Sequence, residues 1–232
     1  MKLTTRIAYN LFPPYVWVAV KKEMFINKCN RQIRGGANKA KLAAIKKLPA
    51  INIHLGCGTR ITSNWVNVDI FSGKGIDLQL NFREPLPFES GSVDKIYSEH
   101  VLEHLFKEET IRLLGECFRV LKKGASIRIG VPDAEIFFRN YVSGNRAYFG
   151  ELRHLGGAKE PLETPVDVIN QMFRMGGDHL FAWDFETMQA ALAKAGFTNI
   201  TRYASGKASS EALCLDDPAH AFETLYVEAV KD

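Results

Sequence analysis

The stretch SEHVLEHL, residues 98–105, brings together three side chains with metal-binding and acid–base chemistry. His100, Glu103 and His104 stand three and four positions apart, a spacing that returns to one side of a helix. Two imidazoles and a carboxylate suit zinc, manganese or iron better than magnesium. A neutral histidine can also accept a proton near neutral pH. The stretch is therefore a candidate metal site or a candidate general base.

Taken alone, residues 100–104 spell H-x-x-E-H, the pattern of an inverted zinc protease site. That site needs a helix that carries both histidines, a third ligand and its own substrate cleft. The run VDKIYS predicts instead a strand that ends at Ser98, with Glu103 and His104 on the first turn of the following helix. We therefore expect these side chains at the carboxyl end of a strand, where open α/β sheets bind their ligands.

Short apolar runs alternate with helical patterns from residue 50 onward. The predicted strands are 51–55, 66–70, 75–80, 93–98, 126–131, 198–204 and 224–230. One helix is predicted from the spacing of Ile111, Leu114, Phe118 and Leu121, and another runs from Asp184 to Gly196. The alternation predicts an α/β fold with a Rossmann-like open sheet and helices on both faces. The sheet is expected to be mostly parallel, with an antiparallel C-terminal strand.

Two segments lie outside this alternation. Residues 134–183 are rich in aromatic residues, arginine and glycine, and we expect them to form a lid over the substrate. Residues 1–49 form a basic arm that we expect to be helical, and residues 50–232 form one domain. Residues 1–48 carry 11 Lys and Arg against Glu23 alone, a net charge of +10, whereas the remainder has 19 basic and 25 acidic residues.

A basic arm on an acidic body favours an anionic partner, such as a membrane surface or nucleic acid. A solvated helix pair that packs on the domain is the alternative. Four cysteines without a C-x-x-C pair indicate a reducing compartment. The apolar run Leu11–Val20 contains two prolines, is about half as long as a spanning helix, and lacks a cleavage site of a signal peptide. We expect a cytoplasmic protein, with the arm able to contact the inner face of the membrane.

A glycine loop follows the first predicted strand. In NIHLGCG, Gly56 and Gly58 lie where backbone N–H groups can approach a ligand closely. The loop continues with Arg60 and lacks the third glycine of a dinucleotide loop, which argues against NAD. Asp69 ends the second strand eleven residues after Gly58, and its carboxylate can accept both hydroxyls of a ribose. A tight turn and a surface acid are the alternatives for each feature alone, but their order favours a nucleoside ligand.

This ordered set resembles the class I S-adenosylmethionine-dependent methyltransferases over about residues 50 to 230. HLGCG is similar to their first motif, NVDI to their second, and LQLNFREPLPFESGSVDKIYSEHVLEHL to the block that contacts adenine. The later runs CFRVLKKGASIRIGVPD, DHLFAWDFETMQAALAKAGFTNI and TLYVEAVKD also match. The match looks closest to bacterial members linked to glycan biosynthesis.

The resemblance implies S-adenosylmethionine as the cofactor. Its implied contacts are Leu55, Gly56, Cys57, Gly58, Asp69, Ile70, Leu80, Asn81, Ser98 and Glu99. Leu80 and Asn81 stand where many members carry an aspartate. The Asn81 side chain can still accept a hydrogen bond from the adenine amine.

A finer resemblance bears on residues 98–105. E-x-x-E-H at this point is similar to metal-dependent O-methyltransferases, including small-RNA 2′-O-methyltransferases and enzymes of the ubiquinone pathway. In the RNA group a histidine within D-H-x-F-x-W completes the site, and DHLFAW places His179 there. His100 stands where those enzymes carry glutamate. The resemblance thus implies a divalent metal (Mn, Zn, Fe or Mg) held by His100, Glu103, His104 and His179.

A metal-free site is the alternative, since many such methyltransferases carry similar residues that cap the helix or position a hydroxyl. His100 or His104 is then the candidate base. Asp133, after the fifth strand, is expected to orient a histidine or to bind substrate, unless it is a turn residue.

The predicted function is O-methylation of a sugar or glycan-precursor hydroxyl, with a small molecule or glycan precursor as the partner. An RNA 2′-O-methyltransferase is the first alternative, but the body is acidic and shows no separate RNA-binding module. A non-catalytic domain that binds the cofactor or a partner is the second, although the glycine loop and Asp69 are intact.

Overall fold

The structure, a computed structural model, describes residues 14–152 and 161–232. The first 13 residues of the predicted arm and residues 153–160 of the predicted lid lie outside the described residues. In the described part, no helix is both long and apolar enough to cross a membrane.

One sheet of seven strands organises the described chain, in the order β3-β2-β1-β4-β5-β7-β6. Its strands are β1 (Asn52–Leu55), β2 (Val66–Asp69), β3 (Leu78–Gln79), β4 (Val93–Glu99), β5 (Leu121–Pro132), β6 (Thr198–Tyr203) and β7 (Thr224–Val230). Strands β1 to β5 pair in parallel, and β7 runs antiparallel to both of its neighbours, β5 and β6. The predicted Rossmann-like sheet with an antiparallel C-terminal strand is confirmed.

The helices lie around the sheet, and capping residues set where they begin and end. They are α1 (Pro14–Ile33), α2 (Gly36–Ile45), α3 (Lys107–Val120), α4 (Ala134–Val142), α5 (Arg146–Leu152), α6 (Pro165–Arg174) and α7 (Phe185–Ala195). The Asp184 carboxylate accepts a hydrogen bond from the Thr187 N–H at 2.8 Å, which caps α7. Gly196, at φ 103°, ends that helix in the left-handed conformation. The predicted bounds of α7 are confirmed.

The chain after β4 differs from the prediction. Leu102–His104 form a separate 3₁₀ turn, and α3 begins only at Lys107. His100 has a φ of +53°, which is uncommon for a non-glycine residue, and Leu105 returns to extended backbone. The prediction that Glu103 and His104 lie on the first turn of the following helix is therefore wrong, because these two backbone changes isolate a turn of its own.

The edge strand β3 is shorter than the predicted strand 75–80, and a side chain of the arm pairs with its outer edge. Asn38 in α2 accepts a hydrogen bond from the Gln79 N–H and donates one to the Gln79 carbonyl, both at 3.0 Å. This amide acts as a partner for the exposed edge of the sheet. The helical arm is thereby docked on the domain.

Two apolar cores divide the described chain. The larger lies between the sheet and α3 and α7, and includes Ile53, Ile96, Leu114 and Leu192. The smaller belongs to the segment 134–183, in which α4, α5 and α6 bury Phe137, Phe149, Leu152, Val168 and Met172. Since α4 begins directly after the carboxyl end of β5, this small helical unit starts at the edge of the sheet where a ligand is expected.

Candidate functional site

A cavity of about 420 Å³ lies at the carboxyl ends of β1, β2 and β4. Its volume is in the range of small-molecule sites, and its place is that of the ligand in open α/β sheets. The lining residues are Ile26, Gly56, Gly58, Asp69, Ile70, Phe71, Asn81, Phe82, Arg83, His100, Val101, His104, Leu105 and Asp178.

The glycine loop forms one end of this cavity. Gly56 has a φ of +78°, and a Cβ atom there would lie 2.0 Å from Cγ2 of Val101. The N–H of Gly58 donates to Oδ2 of Asp69 at 2.8 Å, and the N–H of Phe71 donates to Oδ1 at 3.0 Å. Each oxygen of Asp69 keeps a further lone pair, so the carboxylate can hold the loop and accept hydroxyl groups together.

Five of the ten predicted cofactor residues line the cavity: Gly56, Gly58, Asp69, Ile70 and Asn81. The others lie beside it. Leu55 is in the main core, and burial raises the pKa of the Cys57 thiol to about 12. Leu80 lines a neighbouring groove. The buried Ser98 hydroxyl has no hydrogen-bond partner within the described part of the chain.

Glu99 is occupied by other protein groups. Its buried carboxylate pairs with Arg60, accepts the Tyr226 hydroxyl, and accepts the N–H of Asp217 at 3.2 Å. The Nε of Arg60 also lies 3.5 Å from a carboxylate oxygen of Asp217. Glu99 thus joins the glycine loop to the segment before β7.

Several lining residues were not predicted, and for some a local signal existed. Phe71, Phe82 and Arg83 directly follow predicted contacts in the sequence. Ile26 had no such signal, because it comes from α1 and reaches the cavity only through docking of the arm. Next to it, the Asn81 side-chain N–H donates to the Asn30 side-chain oxygen at 3.0 Å.

His100 belongs to a hydrogen-bonded wall at the other end of the cavity. Its Nδ1 lies 3.0 Å from Oε1 of Glu103, and its Nε2 lies 3.0 Å from Oγ1 of Thr224. Burial alone would lower the pKa of His100, but the hydrogen bond and charge of Glu103 outweigh it and raise the pKa.

Three of the four predicted metal ligands meet beside this wall. Glu103, His104 and His179 each offer one ligand atom, and these atoms lie within 4.8 Å of one another. Nδ1 of His104 donates to the Asp178 carbonyl at 3.1 Å, and Nδ1 of His179 donates to the Met172 carbonyl. Because a carbonyl can only accept, Nε2 of each neutral ring carries the free lone pair.

Glu103 gives this group its negative charge. The residue is 1% exposed, and its Oε2 has no hydrogen-bond partner among the described residues. Burial alone would raise the pKa of Glu103, but the His100 hydrogen bond and the neighbouring imidazoles hold the pKa below its usual value.

The fourth predicted ligand, His100, lies in a different group. His100, His220 and Glu223 also offer three ligand atoms within 4.8 Å of one another. Sequence reasoning missed His220 and Glu223. A signal was available, since HAFE repeats the H-x-x-E spacing of His100 and Glu103.

Asp133 has structural partners for both carboxylate oxygens. Oδ1 accepts the N–H of Glu135 at 3.0 Å and caps α4, whereas Oδ2 pairs with Arg202 at 2.5 Å. The residue is fully buried and is not among those that line the cavity.

Comparison with known proteins finds one family match within this chain. Residues 53–129 match the family described as a methyltransferase domain. No curated protein matches the chain. The chain therefore contains a methyltransferase domain.

Solved structures with a similar fold include a SAM-dependent methyltransferase of Thermotoga maritima, at 20% identity and a TM-score of 0.48, over 90% of this chain and 98% of that one. A SAM-dependent methyltransferase of Archaeoglobus fulgidus has 15% identity and a TM-score of 0.47, over 86% and 96% of the two chains. Phosphoethanolamine N-methyltransferase 2 of Haemonchus contortus has 14% identity and a TM-score of 0.44, over 88% and 56%.

Proposed function

We propose that this protein is an S-adenosylmethionine-dependent methyltransferase that methylates a hydroxyl group of a sugar or glycan precursor, with a divalent cation held by Glu103, His104 and His179. One observation carries the proposal. A single cavity is lined at one end by the glycine loop and Asp69, and at the other by His100 and His104. A donor site and a polar acceptor site therefore adjoin in one space.

The donor end fits S-adenosylmethionine. Gly56 and Gly58 line the cavity without side chains that would fill it, and Asp69 offers acceptor lone pairs where a ribose would need them. The apolar side chains of Ile70 and Phe71 supply surfaces for a flat base. The cofactor, when bound, supplies a methyl group on a positively charged sulfur.

The acceptor end fits a divalent cation. Glu103 is a buried carboxylate with an unpartnered oxygen, and a cation would satisfy that oxygen. The backbone carbonyls that hold Nδ1 of His104 and His179 set each ring in the tautomer that metal ligands adopt. A bound cation would lower the pKa of a hydroxyl group that it touches.

The protein side chains have to position the acceptor hydroxyl for methyl transfer. Methyl transfer requires the attacking oxygen about 3 Å from the methyl group and in line with the sulfur. His100, with its imidazole held by Glu103 and Thr224, lines the acceptor end of the cavity and fixes the wall against which a hydroxyl would lie. A histidine that takes the proton without any cation is the alternative form of this proposal.

The basic arm suggests where the enzyme meets its substrate. Seven Lys and Arg side chains of α1, α2 and the following turn are exposed: Lys28, Arg31, Arg34, Lys39, Lys41, Lys46 and Lys47. We extend the proposal to contact between this face and an anionic membrane or a phosphate-bearing glycan precursor. Ile26, on the inward side of the same arm, lines the cavity, so this contact would lie close to the donor site.

The test is transfer of label from S-adenosyl[methyl-³H]methionine to a panel of sugar nucleotides, polyprenyl-linked sugars and RNA, with and without EDTA. The proposal expects labelled sugar, and loss of label with EDTA. Labelled RNA alone would contradict it. Transfer of label to sugar that EDTA does not reduce and that His100→Ala abolishes would favour the histidine base. Absence of binding to both S-adenosylmethionine and S-adenosylhomocysteine in calorimetry would exclude the enzyme activity itself.

A further inference from the structure

Buried glutamates are balanced in two different ways in this protein. Glu99 pairs with Arg60, and Glu228 pairs with Arg128 at 2.8 Å. An arginine fork is the usual partner of a carboxylate that has left water. These two residues therefore show how the chain neutralises a buried carboxylate that serves structure.

Glu223 does not follow this pattern. It is 2% exposed, and its Oε1 accepts a 2.6 Å hydrogen bond from Nδ1 of His220. Its Oε2 has no partner, and no Lys or Arg pairs with it among the side chains that the structure describes. Burial of a carboxylate oxygen without a cation or a hydrogen-bond donor costs folding free energy, unless a bound ligand supplies the missing partner. Glu103, which already belongs to a candidate cation site, shares this arrangement.

Three elements bring ligands to this oxygen. His100 directly follows β4, His220 ends a 3₁₀ turn, and Glu223 directly precedes β7. The imidazoles of His100 and His220 lie 4.6 Å apart, centroid to centroid, and one ligand atom of each lies within 4.8 Å of the Glu223 carboxylate. The three side chains are therefore already close together in the folded chain.

The position of Glu223 is set by the backbone on both sides. Its N–H donates to the His220 carbonyl at 3.1 Å, and its carbonyl accepts the N–H of Asp133 at 2.8 Å. Asp217 caps the turn that carries His220 by accepting the N–H of Ala219 at 2.9 Å. A site held in this way loses little entropy when it binds an ion.

We propose that His100, His220 and Glu223 form a second divalent-cation site, beside the site of Glu103, His104 and His179. Two imidazoles and one carboxylate are a ligand set for a transition metal such as iron, manganese, cobalt or zinc. The hydrogen bond between His100 and Glu103 joins the two groups. The acceptor end of the cavity would then hold two cations. This inference goes beyond the proposed function, since the second site uses residues outside the first.

The test is a titration of the full-length, chelator-treated protein with Co²⁺, followed by its visible absorption and by the number of ions retained after dialysis. Wild type is expected to bind two ions per chain. His220→Ala and His179→Ala should each bind one, and the double variant none. Glu211→Gln, an exposed acid on a neighbouring turn, is the control and should bind two.

Each result separates the two sites. One ion per chain that His220→Ala keeps and His179→Ala loses would overturn the second site and leave the first. One ion with the opposite behaviour would support the second site and contradict the first. Two ions in His220→Ala, or none in wild type, would also overturn the inference. Glu223→Gln, which keeps the side-chain shape, repeats the test, and binding of S-adenosylhomocysteine shows that each variant is folded.

Discussion

The two ends of the cavity are built in opposite ways. The donor end comes from a short piece of chain. Gly56 and Gly58 follow β1, Asp69 ends the neighbouring strand β2, and the Gly58 N–H donates to the Asp69 carboxylate. The acceptor end is collected from distant segments, with His100 bonded to Thr224 and close to His220. Backbone conformation therefore determines the shape of the donor end. Buried polar side chains without a full set of partners determine the chemistry of the acceptor end.

The difference also appears in the charges. Asp69 at the donor end is satisfied by two backbone N–H groups. Glu103 and Glu223 at the acceptor end have histidine partners and one unsatisfied oxygen each. We therefore expect changes at the donor end to act on cofactor affinity, and changes at the acceptor end to act on cation binding. The predictions below test this separation, from the largest expected effect to the smallest.

Gly56→Ala should break the donor end. Its Cβ would lie 2.0 Å from a Val101 methyl group, and φ is +78°. Overpacking together with a left-handed residue costs about 4 kcal/mol. Once the loop moves to relieve this strain, its return to the cofactor-binding position weakens binding by up to several hundredfold. Calorimetry with S-adenosylhomocysteine measures it. Gly58→Ala is the control, because its Cβ meets nothing within 4 Å and only the backbone cost of about 1 kcal/mol applies. Equal losses in both variants would contradict the close contact as the cause.

His179→Ala should break the acceptor end and spare the donor end. A cation at 100 times its dissociation constant stabilises a folded protein by about 2.7 kcal/mol, and this variant should lose that share. Urea unfolding with and without Co²⁺ measures the difference. The affinity for S-adenosylhomocysteine should change less than about twofold, since His179 does not line the cavity. A parallel loss of cofactor affinity would show that the two ends are not separate.

The pH dependence of stability should differ in sign between His54, within strand β1, and His100, at the acceptor end. Burial first, and then the charge of Arg60, lower the pKa of His54 in β1 to about 4. The unfolded chain takes up this proton near pH 6.5, so His54 makes the fold less stable as the pH falls, by about 2 kcal/mol between pH 6.5 and 5. The pKa of His100 is raised, so its contribution is present below pH 6.5 and is lost as the pH rises through the raised pKa.

Urea unfolding of His54→Gln and His100→Gln across pH 5 to 8 measures these contributions. The difference from wild type should change with pH in opposite directions for the two variants. If the difference in unfolding free energy changed with pH in the same direction for both variants, it would contradict a neutral His54 and a stabilised protonated His100.

Asp69→Asn should have the smallest effect of the four. The amide keeps the shape and one acceptor oxygen but loses the charge, and a hydrogen bond to a charged group is worth about 1.5 kcal/mol more than none. The affinity for S-adenosylhomocysteine should fall about tenfold, and Co²⁺ binding should stay at its wild-type stoichiometry. A change in the number of bound ions would show that the donor end and the acceptor end are not independent.

The sequence alone was sufficient for the succession of strands along the chain, and for the positions of the glycine loop and Asp69 at the ends of β1 and β2. These features are local, since a strand that ends in glycine and a second strand that ends in an acid can be recognised within 20 residues. The bounds of α7 were also predictable, because Asp184 and Gly196 are local start and stop signals.

Tertiary structure decided how the histidines are grouped. In the sequence, His100 and His104 belong to one motif, but the left-handed backbone of His100 sends its ring to Thr224 and His220. His104 faces His179 instead, with ring centroids 4.7 Å apart. Spacing along a chain predicts shared faces only while the backbone stays regular, and here one residue at φ +53° ends that regularity. The partners of each buried glutamate therefore follow from the folded chain and not from the motif.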